Sequence, residues 1–140
     1  MTERVILDTG PLVALLDAGD SAHAWTASQF RKITGPLLTC EPVLAEALYL
    51  LRSLRPAQEK ILEWVERGVL LCPFRLAEEV AQVRVLWKKY ADLPMSLADA
   101  CLVRMSEKYD DHLLCTLDSD FTVYRRHGRE PIPLIIPSPA

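Results

Sequence analysis

Short apolar runs alternate with longer amphipathic segments along almost the whole chain, and no other feature constrains the fold as much. The runs are Val5–Leu7, Leu37–Thr39, Val69–Cys72 and Leu113–Thr116, with a shorter one at Leu134–Ile136. The gaps read as helices over Pro11–Asp17, His23–Lys32, Pro42–Leu51, Pro56–Arg67, Ala77–Tyr90 and Leu97–Tyr109, with a short helical turn after Asp120. Strands joined through helices pair in parallel, with the helices packed on both faces. The expected fold class is therefore α/β: a three-layer α/β/α sandwich around a central, mostly parallel sheet of four to five strands. Ligands of such sheets bind at the carboxyl ends of the strands, where helix N-termini also gather.

The 140 residues suit one domain, 1–140, with a sizeable core, and half of them are apolar. No apolar run reaches the roughly 18 residues that span a bilayer, and Val5–Leu7 is too short for the core of a signal peptide. The expectation is a cytoplasmic protein with no membrane segment. Cys40, Cys72, Cys101 and Cys115 form no CxxC pair and sit in apolar stretches, as buried free thiols do. A net charge of −3 argues against nucleic-acid binding by bulk charge but leaves room for local basic patches. Leu51–Arg55, Arg84–Lys89 and Tyr124–Arg129 are the segments that could supply them, either as solvated faces or as nucleic-acid contacts.

Four acids fall where the strands end or the helices begin. Asp8 closes the first strand in "VILDTGPLVALLD", where Asp8 or Thr9 could equally cap a helix whose first position is Pro11. Glu46 lies in the second turn of the helix after Leu37–Thr39, at the border of its apolar arc, with no Lys or Arg three or four residues away. Asp99 follows Ser96 in "PMSLADACLVRMSE", the spacing of a capping box. Asp118 follows the strand Leu113–Thr116 in "CTLDSDF", with Thr116 before it and Asp120 after it, an arrangement also used by Asx turns. Each acid alone has an ordinary structural explanation. Together, four segments bring uncompensated carboxylates to one sheet edge, and such a cluster repels itself unless a cation is present. Oxygen-only donors favour Mg²⁺ or Mn²⁺ over zinc, which points to a metal site that handles phosphate.

At these residues the sequence resembles the PIN-domain family, in particular the VapC-type ribonuclease toxins of prokaryotic toxin–antitoxin pairs. "VILDTGPLVALLDAGDSAH" resembles the family's opening, with Asp8 as its first acid and Asp20 and His23 meeting its D-x-x-H. "EPVLAEALYLL" resembles the block that carries Glu46, "LPMSLADACLVRMSE" the block that carries Asp99 behind Ser96, and "LLCTLDSDF" the block that carries Asp118 with Thr116 and Asp120. The resemblance runs from Val5 to Phe121 and lacks none of the acids. It implies a metal-dependent endoribonuclease in which Asp8, Glu46, Asp99 and Asp118 are both catalytic residues and ligands of Mg²⁺ or Mn²⁺, supported by Thr9, Ser96, Thr116 and Asp120. It further implies 5′-phosphate and 3′-hydroxyl products, an RNA substrate, a cognate antitoxin whose helix lies in an apolar groove, and a homodimer. His23, His112 and His127 are assigned no catalytic role, and Trp25, Trp64 and Trp87 are expected in the core or an interface.

Two other classes gather acids at strand ends. A phosphoacceptor signalling domain wants a paired acid after its first strand and a Lys after its last, and the chain offers only Leu7-Asp8-Thr9 and no such Lys. A D-x-D phosphatase is disfavoured by Gly10, which stands where its second Asp would be. A PIN scaffold that binds RNA or protein without cleaving is a third alternative, and the intact acids weigh against it.

Overall fold

The computed structural model describes Thr2 and residues 4–139. Its strands are β1 (Val5–Leu7), β2 (Leu37–Leu38), β3 (Leu70–Leu71), β4 (Leu113–Cys115), β5 (Arg125–Arg126), β6 (Glu130–Pro131) and β7 (Leu134–Ile135). Its helices are α1 (Thr9–Leu16), α2 (His23–Phe30), α3 (Glu41–Leu50), α4 (Arg55–Glu66), α5 (Leu76–Lys89) and α6 (Leu97–Lys108), followed by a 3-10 turn at Ser119–Thr122. Five strands form one parallel sheet in the order β3-β2-β1-β4-β7, while β5 and β6 form a separate antiparallel hairpin.

Apolar residues in β1 and β4 are divided between the two faces by the pleat. Ile6 and Leu114 pack with Val83, Leu86 and Leu102 of α5 and α6, whereas Val5, Leu7 and Cys115 pack with Leu12, Ala47, Leu51 and Ile61 of α1, α3 and α4 or its approach. Val5, Ile6 and Leu7 are all fully buried, which is why the strand reads as a continuous apolar run and not as an alternation. Full burial of each such side chain stabilises the fold by about 1.5–3 kcal/mol relative to leaving it in water. The layers on either side of the sheet are those expected from the sequence.

The winding of the sheet locates the site. From β1 the chain steps outward through β2 to β3, then crosses back through α5 and α6 to place β4 on the other side of β1. A crevice opens at such a reversal, beyond the carboxyl ends of the two central strands. The pairing Leu7↔Cys115 brings Asp8 and Thr116, the next residue of each strand, to its mouth.

Several boundaries differ from the sequence reading. Helix α1 begins at Thr9, not Pro11, because the Asp8 carboxylate accepts from the Thr9 N–H at 2.7 Å and draws the first turn forward. Pro11 still lies within that first turn, where an amide donor is not needed. The β5–β6 hairpin was not expected, since Arg-Arg-His-Gly-Arg carries no apolar alternation. It is held by the Arg126 guanidinium, which donates to the carbonyls of Ser106 at 3.0 Å and Asp110 at 2.9 Å. Its turn uses left-handed φ at His127 (52°) and Gly128 (84°). Among the described residues no helix is long and apolar enough to cross a membrane.

Candidate active site

Asp8 is the buried floor of the crevice. One carboxylate oxygen accepts from Thr9 N and the other from the Thr116 hydroxyl, both at 2.7 Å. Thr116 also accepts from the Asp118 N–H at 3.0 Å, so one hydroxyl ties the acid of β1 to the turn after β4. The side chain of Asp118 then accepts from Asp120 N at 2.9 Å and opens the 3-10 turn. Glu46 reaches in from α3, its carboxylate accepting from the Thr9 hydroxyl at 3.0 Å. Asp99 and Ser96 form the capping box at the start of α6, Ser96 N donating to Asp99 at 3.1 Å and Asp99 N to Ser96 Oγ at 3.0 Å.

Capping and convergence therefore coexist. Asp8 caps α1 and Asp99 caps α6, and both also line one open pocket of about 320 Å³ together with Thr9, Gly10, Glu46, Leu50, Leu117 and Asp118. The N-terminal ends of α1 and α6 meet there, and their dipoles favour negative charge. Gly10 belongs where it stands because a Cβ would come within 3.3 Å of the Leu117 side chain.

The pocket's lining carries acids and no base. Burial pushes the Asp8 carboxyl up to about 6, against the pull of its hydrogen bonds from Thr116 and Thr9, and the charges of Asp99 and Asp118 add to the rise. Asp99 is raised as well, first by burial and then by Asp118 and Glu46. Among the described residues no three His, Cys, Asp or Glu side chains converge tightly enough to enclose an ion as they stand. The acids rim the pocket instead. That arrangement suits Mg²⁺, which keeps several of its waters and takes only one or two carboxylates along with substrate phosphate oxygens. Donor chemistry, mutual repulsion and room for water all fit a hard divalent cation.

Sequence reasoning passed over Tyr124. Its hydroxyl is buried, finds no well-aligned hydrogen-bond partner among the described residues, and stays protonated through burial and the nearby charges of Asp99, Asp120 and Asp118. The ring stacks edge-on against Tyr90 and Phe121, with centroids 5.0 and 5.3 Å away. A tyrosine in an arginine-rich stretch offers no periodic signal, so only the fold reveals where it lies.

Other singled-out residues lie elsewhere. Asp20 closes an Asx turn on Ala22 N, and His23 Nδ1 meets the Ala14 carbonyl at 2.7 Å, so both serve the α1–α2 junction. His112 pairs with Asp111, and His127 sits in the hairpin turn. Trp25 and Trp64 pack on the core, but Trp87 is half exposed on α5. Half of the Lys and Arg side chains in the two C-terminal basic segments are engaged on backbone carbonyls. Arg125 donates to the carbonyls of Thr122, Val123 and Tyr124, Arg126 braces the hairpin, and Lys89 donates to the Gly128 carbonyl. The four cysteines are free thiols, and burial pushes Cys115, beneath Asp8, up to about 12.

A parallel α/β/α sheet with a carboxylate-lined pocket at its switch point is the architecture expected of the family that the sequence resembles. The chain belongs to the PIN-domain family, whose model matches residues 5–126. It is 29% identical over 125 residues to ribonuclease VapC26 of Mycobacterium tuberculosis (strain ATCC 25618 / H37Rv), covering 88% of each chain. Its fold is similar to the crystal structure of Mycobacterium tuberculosis VapC20, a sarcin–ricin loop cleaving toxin, with a TM-score of 0.76 at 20% identity over 85% of this chain and 93% of that one.

Proposed function

We propose that this chain is a Mg²⁺- or Mn²⁺-dependent endoribonuclease of the VapC type, the toxin of a toxin–antitoxin pair. The observation that carries the reading is the pocket in which Asp8, Glu46, Asp99 and Asp118 meet without a compensating cation. The kinship with ribonuclease VapC26 supports RNA as substrate. The four acids would hold the metal, with Thr9, Ser96, Thr116 and Asp120 as their supports. When bound, such an ion neutralises charge on the scissile phosphate and lowers the pKa of a bound water.

The chain's own residues supply the frame. Thr116 and the Thr9 amide fix the rotamer of Asp8, the Thr9 hydroxyl fixes Glu46, and the capping box fixes Asp99, so the carboxylates need no reorganisation as phosphate arrives. The half-buried acids can also take a proton from the attacking water. A cognate antitoxin and a homodimer belong to the same reading.

The test is cleavage of structured RNAs, with the sarcin–ricin loop first because VapC20 cleaves it. Purified protein should cut in millimolar Mg²⁺ or Mn²⁺ and stop in excess EDTA. Equal cleavage in chelator would overturn the metal dependence, and no cleavage of any RNA would overturn the ribonuclease reading.

A further inference from the structure

An acidic pocket must still attract and hold a polyanion. The acids of the site repel a phosphodiester backbone until the metal is in place, and the net charge of −3 gives no general attraction. Cations close to the pocket and free of other duties are therefore the residues to look for. In the two C-terminal basic segments Lys89, Arg125 and Arg126 are engaged on backbone carbonyls, and no residue of either segment lines the pocket or adjoins one that does. The remaining segment, Leu51–Arg55, leaves the C-terminal end of α3, the helix that delivers Glu46.

That end of α3 carries an unusual surface. Leu50 lines the catalytic pocket yet is 55% exposed, and Tyr49 beside it is 64% exposed. Residues three and four apart on a helix share a face, with Cβ atoms about 5–6 Å apart, so Tyr49 and Leu50 both stand one turn beyond Glu46. The Arg52 guanidinium lies over the Tyr49 ring, 4.2 Å from its centroid, and one of its nitrogens donates to the Tyr49 carbonyl at 3.0 Å. Among the described residues no carboxylate pairs with Arg52. The helix thus presents, in continuity with the pocket, a flat aromatic ring and a flat cation pre-stacked upon it.

We infer that Tyr49 and Arg52 form a nucleotide clamp at the rim of the pocket, in which an unpaired base of the RNA stacks on the Tyr49–Arg52 pair and the adjoining phosphate is met by the guanidinium. The inference rests on the ribonuclease reading and specifies its substrate as single-stranded at that position. Aromatic rings and guanidinium planes are the surfaces on which splayed-out bases stack, and the guanidinium's planar donors match phosphate oxygens. The charges are complementary: a cation without a carboxylate partner among the described residues follows two residues after Leu50, which lines the acidic pocket. Stacking of this kind tolerates any base, so the clamp contributes affinity and strand polarity, with sequence choice left to other contacts.

The experiment measures binding of a short fluorescent oligoadenylate in Mg²⁺ by proteins carrying Asp99→Asn, which spares the strand from cleavage. Tyr49→Ala should weaken binding roughly tenfold to a hundredfold, as loss of a base-stacking aromatic does. Tyr49→Trp should keep the affinity of the parent. Arg52→Gln should reduce the slope of log affinity against log salt by roughly one phosphate contact. Melting temperatures should stay at the parent's value, because both side chains are exposed.

If these variants bind like the parent while wild type cleaves structured RNA in Mg²⁺, the clamp falls and the ribonuclease stands. The clamp also falls if the Asp99→Asn parent ignores oligoadenylate while wild type cleaves. Wild type that neither binds nor cleaves RNA removes both readings. Variants that keep RNA affinity but change self-association in sedimentation would assign this face to a protein interface and overturn the clamp.

Discussion

Helix α6 holds acids at both ends, and they are treated in opposite ways. At its first turn Asp99 faces Asp8, Glu46 and Asp118 across a pocket without a base. Further along, Arg104 meets Glu79 of α5 at 2.8 Å and Glu107 at 3.2 Å, and Lys108 meets Glu79 at 3.4 Å. The hydrogen bond from Arg104 holds Glu79 below the usual carboxylate range, whereas burial and like charge hold Asp8 and Asp99 above it. Both groups of acids are partly buried and both bridge secondary elements. One is finished by the protein's own cations and does structural work. The other has no cation among the residues that line its pocket, and on the proposed reading a metal ion supplies one.

The comparison breaks most visibly at Asp99. Replacing it with Asn keeps the shape and the cap but removes a charge, so RNA cleavage should fall by about a hundredfold or more, beyond the loss typical of an outer support. Wild type should melt at a higher temperature as Mg²⁺ rises, since an ion that binds only the folded state stabilises by about 2.7 kcal/mol at a hundred times its Kd. Asp99→Asn should gain clearly less, and in EDTA it should be at least as stable as wild type because repulsion is relieved. Glu79→Gln is the contrasting case. It should lower stability by roughly 1–3 kcal/mol, having left Arg104 without its nearest acid, yet show the full Mg²⁺ shift. Equal Mg²⁺ shifts in Asp99→Asn and wild type would erase the distinction between the two clusters.

Acidity should separate them by sign. The folded-state pKa of Asp8 lies above its unfolded value, so its favourable contribution is complete below the unfolded pKa of 3.8 and is lost as pH rises through about 6. In EDTA, lowering the pH from 7 towards 5 should therefore stabilise the protein, with an upper limit of about 1.4 kcal/mol from this group over that interval. Asp8→Asn should flatten that slope, and saturating Mg²⁺ should remove it. Glu79 runs the other way. Its folded pKa is depressed, so its contribution is present above the unfolded value of 4.5 and is lost as pH falls through the lower folded one. Melts in EDTA across this range should show a maximum on the acid side of neutrality for wild type and a weaker acid-side decline for Glu79→Gln. A wild-type curve that falls steadily from pH 7 to 5 would contradict the incomplete cluster.

The difference between these clusters was only half legible in the sequence. Asp8, Asp99 and Asp118 could be placed at one sheet edge because strand ends and helix starts are marked by local signals: an apolar run that stops, a Ser three residues before an Asp, a Thr before a turn. Glu46 carried a weaker signal, the lack of a nearby cation on its own helix, and its bond to Thr9 is a contact between residues far apart in sequence. The Glu79–Arg104 pair was invisible for the same reason, joining two helices through side chains that each look solvated. Tyr124 and the β5–β6 hairpin escaped because no periodicity marks them. Contact with α6 gives the hairpin its place, and the rings of Tyr90 and Phe121 give Tyr124 its own.

The finest distinction lies in Thr116, which joins two parts of the incomplete cluster as Arg104 joins two parts of the complete one. Its hydroxyl donates to Asp8 and accepts from the Asp118 amide. Thr116→Val keeps the shape and the buried volume but removes both bonds. Asp8 then loses the hydrogen bond that lowers its pKa, so in EDTA the acid-side stabilisation should extend closer to neutral pH than in wild type. The Asp118 amide loses its partner, so the turn that presents this carboxylate loosens. Because supports of metal-binding carboxylates are typically worth about ten- to a hundredfold in affinity or activity, cleavage should fall by that range and the Mg²⁺ requirement should rise in step. A Thr116→Ser variant, which restores the hydroxyl at the cost of one methyl, should recover most of both. If Val and Ser variants cleave alike, Thr116 only packs the strand end, and the acids of the pocket hold their orientation without it.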